Sequence, residues 1–527
     1  MKAKSVLALG LSVIMITSLA ACGGSSDTKK KENNKAEETA GSGEKVTFPL
    51  KDKKKYSVFY QMNGEYELQD NVTMQTLLDE ANIEFDYQSV MGGDFTEKRN
   101  LILSSGDYPD AFLKSNIYMQ DLNKYGKQGI FIPLENLIKQ YAPNLTKRLD
   151  EIDGWKYLTS GDGHVYSLPE IGRKDGAMIT YWINKNWMDN LGLKEPHSLD
   201  ELYEVLKAFK DKDANGNGDS NDEIPITATA TMKPDLLLPY FDICYDQETK
   251  AAVIDDKLTY IPTADVFKQY IEFVTKLYQE EIMDKNAFTQ KQEQQTAIGQ
   301  SGDVLGSFFD FGAFLSVGRE KDREYIALTP FTDGTYPISS GITPGGLVLT
   351  NKCKNPEVLI SWFDQFYTEE GGIHALLGIE GKTWRKRDDG DWEWIIGNGY
   401  GDDVAEVRAS STLQGNGTHP SIWPDFWFDH MSSETDPNEV YLNSERSKFS
   451  KKGAIPLPVM QYNDEDAMTI ATLKTDIDSY IDQYVAQVAT GALDLGKSWK
   501  EYTTTLNNMG AGQLIDIYEK AYNEAKK

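Results

Sequence analysis

Beyond residue 19 the chain has no run of eighteen apolar residues, so nothing after its leader reads as a bilayer-crossing helix. Basic charge is scarce: 54 lysines and arginines stand against 82 acidic residues, a formal charge of −28, and no basic stripe offsets it. That balance repels nucleic acid and anionic lipid and weighs against a strongly anionic ligand. Cysteine is nearly absent. Of the three, Cys22 belongs to the leader's end, while Cys244 and Cys353 are expected as free thiols because a fold this large needs no disulfide staple. The five histidines, His164, His197, His374, His419 and His430, lie far apart, and no GxSxG elbow, HExxH helix, phosphate loop or post-strand GxGxxG occurs. A glycosidase needs only two carboxylates, which 82 acidic residues do not exclude. The reading is nevertheless of a chain without catalysis.

The first residues, MKAKSVLALGLSVIMITSLAAC, set Lys2 and Lys4 before an apolar run from Val6 to Leu19 and small residues before Cys22. This is the pattern of a secretory leader. The ending Leu19-Ala20-Ala21-Cys22 resembles the bacterial lipoprotein signal, which implies a signal peptide over 1–21 and a diacylglyceryl thioether on Cys22. Each buried CH₂ of such a chain contributes about 0.8 kcal/mol to membrane anchoring. Residues 22–52 then carry almost no aliphatic side chain before Val46 and are expected to form a disordered tether. Its reach is roughly 25 to 30 Å. The folded part is expected just off the outer face of a cell membrane.

At 527 residues the chain has room for two well-buried cores. From residue 56 strand and helix patterns alternate: YSVFYQM, VTMQTLLDEAN, IEFDYQSV, a helix through KRNLILSSGD, and DAFLKS. The alternation predicts an α/β fold with a mostly parallel sheet covered on both faces. In such sheets ligands sit beyond the carboxyl ends of the strands. That rule nominates Asn63 and Glu65 after the first strand, and Lys114 and Asn116 after DAFL, as ligand contacts.

Further on, Ser198 and Glu201 form a capping-box pattern, and Leu199, Leu202, Val205, Leu206 and Phe209 fall on one face of the helix that follows. The helix runs into DKDANGNGDSNDEIP, with oxygen-bearing side chains at alternate positions and glycines between them, which resembles half of an EF-hand. Calcium takes six to eight oxygens at about 2.3 to 2.6 Å. Asp213, Asn215, Asn217, Asp222 and Glu223 supply side-chain oxygens and Asp219 a backbone carbonyl; a register starting at Asp211 reaches Asp222 with the same twelve-residue span. Ile224-Pro225-Ile226-Thr227 looks extended rather than helical, so the ion would pin a helix to the next strand. The competing reading is an Asn-Gly turn whose side chains cap their own backbone.

Taken together, LAAC, GDYPDAFL, GDGHVYSLPE, the stretch from YWINKNW to NDEIP, GGLVLTNKCKNPEVLISWFDQFYTEEGG and GIEGKTW resemble, in order, the family 1 extracellular solute-binding proteins of bacterial sugar ABC importers. The likeness is to the larger lipoprotein branch that includes alginate-binding receptors. It implies a two-lobed, periplasmic-binding-protein-like fold of type II that closes on its ligand like a hinge, with calcium in the loop ending in DEIP. This chain departs by one inserted residue there, Asp219-Ser220-Asn221 standing where two residues are usual. The implied lobes are 53–177 with 345–450, and 178–344 with 451–527. The chain would cross first near Gly176 to Tyr181 and again near Ile342 to Leu349, where Gly345 and Gly346 would absorb rotation.

Sugars present apolar faces and rings of hydroxyls, so aromatic stacking and directional polar groups are expected. Trp182 after the first crossing, Phe309, Asp310 and Phe311 in GSFFDFG, Glu380 and Trp384 in GIEGKTW, and Trp423 in HPSIWPDFWFDH are the candidates. The implied partners are an oligosaccharide and the transmembrane subunits of an ABC permease, with the protein monomeric and membrane-held through its lipid. A surface glycan-binding lipoprotein without an importer, a secreted glycoside hydrolase and a peptide receptor are the alternatives.

Overall fold

The computed structural model describes residues 45–62, 66–174, 179–415, 417–434 and 436–526. The leader, Cys22, residues 23–44 of the tether, Asn63, Glu65 and Gly176 lie outside the described residues. Residues 45–52, given to the disordered tether on sequence, instead pack on the first lobe, where Val46, Phe48 and Leu50 meet its core and the Leu50 N–H donates to the Ala81 carbonyl at 3.0 Å. Among the described residues no helix is long and apolar enough to cross a membrane.

The first lobe opens with strands β1 (Lys54–Gln61), β2 (Ile83–Val90), β3 (Ala111–Leu113) and β4 (Ser167–Ile171). β1 pairs in parallel with β2 and β3, with the helices Val72–Ala81 and Gly92–Ser105 in the connections. β1 is buried on both faces over its second half: Val58 and Tyr60, like Tyr56 before them, enter one core, Phe59 the other.

The second lobe holds β5 (Thr180–Asn184), a hairpin of β6 (Ala251–Ile254) and β7 (Lys257–Tyr260), β8 (Ser307–Asp310) and β9 (Tyr325–Ala327). Its sheet, β8-β5-β9, is antiparallel. The chain returns through β10 (Tyr336–Pro337) to β11 (Ile342–Leu349), adds a hairpin of β12 (Trp384–Lys386) and β13 (Trp392–Trp394), and later forms β14 (Gly453–Ala454) beside β10. β11 enters the first sheet from the second lobe's side and so runs antiparallel to both β3 and β4, giving the order β2-β1-β3-β11-β4. The mostly parallel sheet expected from the sequence is therefore confined to β1, β2 and β3.

Two large cores result. One gathers side chains from Tyr56 to Ile171 and Ile342 to Met431, the other from Tyr181 to Leu328 and Leu457 to Tyr522. The helix Pro437–Ser447, given to the first lobe on sequence, packs on the second: Leu442 joins Trp182 and Phe308, and the Glu445 carboxylate accepts from the Ala327 N–H at 2.8 Å. Three stretches thus link the cores, 172–179, 328–341 and 432–436. Because the first runs from the carboxyl end of β4 to β5, and the second from β9 to the start of β11, the carboxyl ends of β1, β3 and β4 turn toward the second lobe.

Gly345 and Gly346 lie inside β11 rather than on a crossing. A Cβ on Gly345 would sit 2.1 Å from the Ile117 carbonyl oxygen, so this glycine serves close packing under the loop after β3. Gly172 and Gly341 lie on the first and second crossings. The Gly172 N–H donates to the Gly341 carbonyl at 2.6 Å, and Gly341 has φ +78°.

The helix Leu199–Asp211 forms as its pattern predicts, with Leu202, Val205, Leu206 and Phe209 buried. Ser198 Oγ accepts from the Glu201 N–H at 3.1 Å, while the Glu201 carboxylate reaches back to His197 rather than to Ser198. Phe209 meets Trp187 edge to face at 5.2 Å between ring centres. Cys244 and Cys353 are free, and burial pushes both thiols up to about 12.

Candidate functional site

A single exposed ring is ordinary on a protein surface, but exposed rings gathered at one place mark a surface suited to cover by a ligand. Among the described residues the exposed aromatic side chains are Tyr66 (36%), Tyr118 (56%) and Phe311 (45%). Each follows the carboxyl end of a strand: Tyr66 comes after β1, Tyr118 after β3 and Phe311 directly after β8. Two stand on the first lobe and one on the second, at the ends of the sheets that the crossings bring together.

The loop after β3 is held in an uncommon backbone. Lys114 and Asn116 have φ of +51° and +47°, a region that costs a side-chain-bearing residue energy and that clusters at functional sites. Arg99 fixes the turn by donating to the carbonyls of Ser115, at 3.1 Å, and Asn116. Asn116 donates to Gln61 Oε1 at 2.7 Å, which ties the ends of β1 and β3 together. Lys114 is buried and donates to the Gln414 carbonyl at 3.2 Å, and burial lowers its ammonium to about 8. It shapes the loop that presents Asn116 and Tyr118 rather than reaching outward.

Beside it, Glu170 in β4 accepts from Trp423 Nε1 at 2.8 Å and from the His419 N–H at 3.1 Å. His419 is buried, which lowers its imidazole despite the nearby Glu170 carboxylate. Trp423 is half-buried in the bend before the helical turn Asp425–Asp429. Two residues past β4, Arg173 donates to Asp429 at 2.9 Å and Asp425 at 3.3 Å, its guanidinium 4.0 Å from the Phe428 ring centre.

On the second lobe Asp310 is buried at the end of β8, accepting from the Phe311 N–H at 2.7 Å, Ser316 Oγ at 2.6 Å and Gln292 Nε2 at 2.9 Å. Burial raises its carboxyl to about 6. Arg446 donates to the Phe311 carbonyl and keeps its buried Nε without a partner. Phe311 is thus an outward ring on a rigid backbone support.

The other aromatic candidates belong to the cores. Trp182 is fully buried at the centre of β5, its Nε1 bonded to the Asp310 carbonyl at 3.1 Å. Phe309 is buried and stacked on Tyr181 at 4.8 Å. Trp384 is buried in β12 against Phe426, while Glu380, just before it, is exposed. Trp392, Trp394 and Trp427 pack on one another. Tyr66, Tyr118, Glu170, Arg173 and Arg446 were not singled out by sequence. The strand-end rule that nominated Asn116 reaches Tyr118 two residues later.

The loop 213–223 has a chemistry of its own. Asn215, Asn217 and Asp219 each accept a backbone N–H two residues on, and the Asn215 and Asn217 amides donate to the Asp222 carboxylate. Asp213 Oδ2 accepts from Gly218, and Glu223 Oε1 from Ala214. The remaining oxygens, Asp213 Oδ1 and Glu223 Oε2, are buried and meet no donor, and burial raises the Glu223 carboxyl. Among the described residues no three histidine, cysteine or acidic side chains converge on one point. The donor set therefore mixes two unsatisfied carboxylate oxygens with amide and backbone oxygens, which fits a hard cation. Ile224 and Ile226 beyond it make extended bridges to Leu305 and Met283, as the proline suggested.

A cavity of about 550 Å³ runs along the connections, lined by Ile179, Tyr336 to Ser340 and Ile455 to Leu457 together with Asp235, Tyr245 and Glu248 of the second lobe and Tyr157 of the first. None of the exposed rings lines it.

Two α/β lobes, three linking stretches and exposed rings at the facing strand ends define a hinged binding protein. The model of the bacterial extracellular solute-binding proteins matches residues 67–373, and the chain belongs to that family. It is 28% identical over 534 positions to the fructooligosaccharide ABC transporter substrate-binding protein FusA of Streptococcus pneumoniae, covering 96% of this chain and 95% of that one. The polygalacturonan/rhamnogalacturonan-binding protein YtcQ of Bacillus subtilis is 26% identical over 324 positions, 59% of this chain and 62% of that one. The structure of FusA with kestose superposes with a TM-score of 0.73 at 25% identity, covering 90% of this chain and 99% of that one. A further FusA structure, of an EF-hand mutant with fructo-nystose, gives 0.72 over the same shares and at the same identity. The alginate-binding protein AlgQ2 without calcium ion shares the fold, with a TM-score of 0.67 at 20% identity over 91% of this chain and 100% of that one.

Proposed function

We propose that this protein is the receptor of an ABC importer that captures an oligosaccharide between its lobes. The observation that carries the reading is the set of exposed rings, Tyr118 and Phe311 foremost, standing on opposite lobes at the ends of rigid strands. A sugar ring laid on either one covers apolar surface, and Asn116, Glu170 and Trp423 supply polar atoms beside it. Asn63 and Glu65 remain candidate contacts on the same strand-end logic, and exposed Glu380 through its place in GIEGKTW. The proposed cycle needs no bond made or broken. Open and closed forms interconvert, ligand touches both rings only in the closed form, and that difference in contact drives closure. The permease then recognises the closed form, and Cys22, through its lipid, keeps the protein at the outer membrane face. The fructooligosaccharide specificity of FusA supports a saccharide as ligand. Titration calorimetry with kestose, malto-oligosaccharides and galacturonides, paired with small-angle scattering, tests the reading. Heat together with a smaller radius of gyration is the expected result; a peptide giving the only heat, or released reducing sugar, would replace it.

Calcium is the proposed occupant of the 213–223 loop, held by Asp213, Asn215, Asn217, Asp219, Asp222 and Glu223. The two partnerless carboxylate oxygens favour it, as does the EF-hand named for FusA. Its contribution is structural, joining the helix Leu199–Asp211 to the extended run at Ile224. At a calcium concentration 100 times Kd, binding to the folded state alone adds about 2.7 kcal/mol. Chelator is expected to lower the thermal midpoint, and added calcium, but not magnesium, to restore it. A midpoint indifferent to chelator would remove the ion from the account.

A further inference from the structure

The relatives divide by ligand charge, since fructans are neutral and polygalacturonan is a polyanion. Membership in the family leaves that choice open, and the charges around the facing strand ends bear on it. Resting on the receptor reading above, we infer that the ligand is an uncharged oligosaccharide and that Asp425 and Asp429 enforce this by occupying Arg173.

A uronate carboxylate loses its water on entering a cleft and needs a cation in exchange, best of all a guanidinium fork. Arg99, Lys114 and Arg173 at the first lobe's edge are already engaged, whereas Lys174, next to Arg173, is exposed and offers a solvated ammonium rather than a guanidinium fork. Arg99 is buried, pairs with Asp121 at 3.0 Å and spends further N–H groups on the Ser115 and Asn116 carbonyls. Lys114 is buried against the Gln414 carbonyl, with Glu170 close enough to act on its charge. Arg173, the most exposed of the three, lies on the first crossing itself and is shared by two carboxylates while its flat face rests on Phe428.

Those two carboxylates point outward. The Asp425 side chain is 80% exposed and that of Asp429 58%, against 33% for Arg173, so an approaching anion meets negative charge before it meets the guanidinium. Two acids on one base leave the group with a net charge of minus one. On the second lobe Arg446 spends one N–H on the Phe311 carbonyl and leaves its buried Nε without a partner, but Asp310 and Glu439 both act on its charge. A carboxylate brought there would stand against Asp310. A neutral sugar asks for less. Its hydroxyls donate to Glu170, Asp425 and Asp429 as readily as to water, and its apolar faces cover Tyr118 and Phe311.

The test compares the full chain with the Asp425→Asn/Asp429→Asn double variant, both checked for an unchanged thermal midpoint. Each is titrated at one ionic strength with kestose, malto-oligosaccharides, xylo-oligosaccharides, oligogalacturonate and oligoalginate of similar length. The expected result is binding to a neutral member, with either uronate at least 100-fold weaker, and in the double variant a ratio shifted toward the uronates by tenfold or more. Oligogalacturonate or oligoalginate binding as tightly as the best neutral sugar would overturn the inference and leave the receptor reading standing. A ratio unmoved in the variant would overturn the role of Asp425 and Asp429. No heat with any saccharide would overturn the inference and the receptor reading together.

Discussion

Alanine at both Tyr118 and Phe311 is expected to weaken oligosaccharide binding by about 10² to 10⁴-fold, since covering one aromatic side chain is worth roughly 1.5 to 3 kcal/mol and residues on separate lobes add nearly independently. Both rings are exposed in the structure, at 56% and 45%, so the folded protein loses little packing when they are cut back. The thermal midpoint is therefore expected to stay put while Kd rises. Each single variant should show about half of the loss on a free-energy scale. Calorimetry on the four proteins decides the matter. An affinity unchanged in the double variant would move the ligand away from the strand ends and would take the receptor reading's main support with it.

Trp182→Ala is expected to do the opposite, costing about 3 to 5 kcal/mol of stability through the cavity left by a fully buried ring. Trp182 lies in the middle strand of β8-β5-β9, packs with Phe308, Tyr325 and Leu442, and bonds the Asp310 carbonyl through its indole N–H. Its loss opens the second lobe from within. Urea unfolding followed by circular dichroism measures the effect. A midpoint within error of the parent, combined with a large rise in Kd, would show that the ring meets ligand after all.

The contrast between these residues marks where sequence reading stops. Strand and helix alternation, the Ser198 start of the helix Leu199–Asp211 and the turn from Asp213 to Glu223 are local: residue type and spacing set them, and the structure has each of them where the pattern puts it. Ring exposure is not local. Trp182, Trp384 and Phe311 are equally apolar in sequence, yet only the last faces out, because Trp182 is packed among Phe308, Tyr325 and Leu442 and Trp384 against Phe426, while Phe311 comes one residue after β8 has ended. The same limit explains the helix Pro437–Ser447. Its assignment to the second lobe depends on Glu445 meeting the Ala327 N–H, a contact spanning more than a hundred residues of chain. Arg173 was missed for a related reason, since its partners Asp425 and Asp429 are as remote in sequence as they are close in space.

The bond from Gly172 to Gly341 has a mechanical corollary. Two of the three linking stretches are tied main chain to main chain at that point, with the gap too narrow for even a methyl group: a Cβ on Gly341 would stand 2.6 Å from the Gly172 oxygen. In a hinged receptor that pair would serve as one pin between the halves. Wedging it apart with Gly341→Ala would reset the resting angle of the jaws while leaving Tyr118 and Phe311 in place.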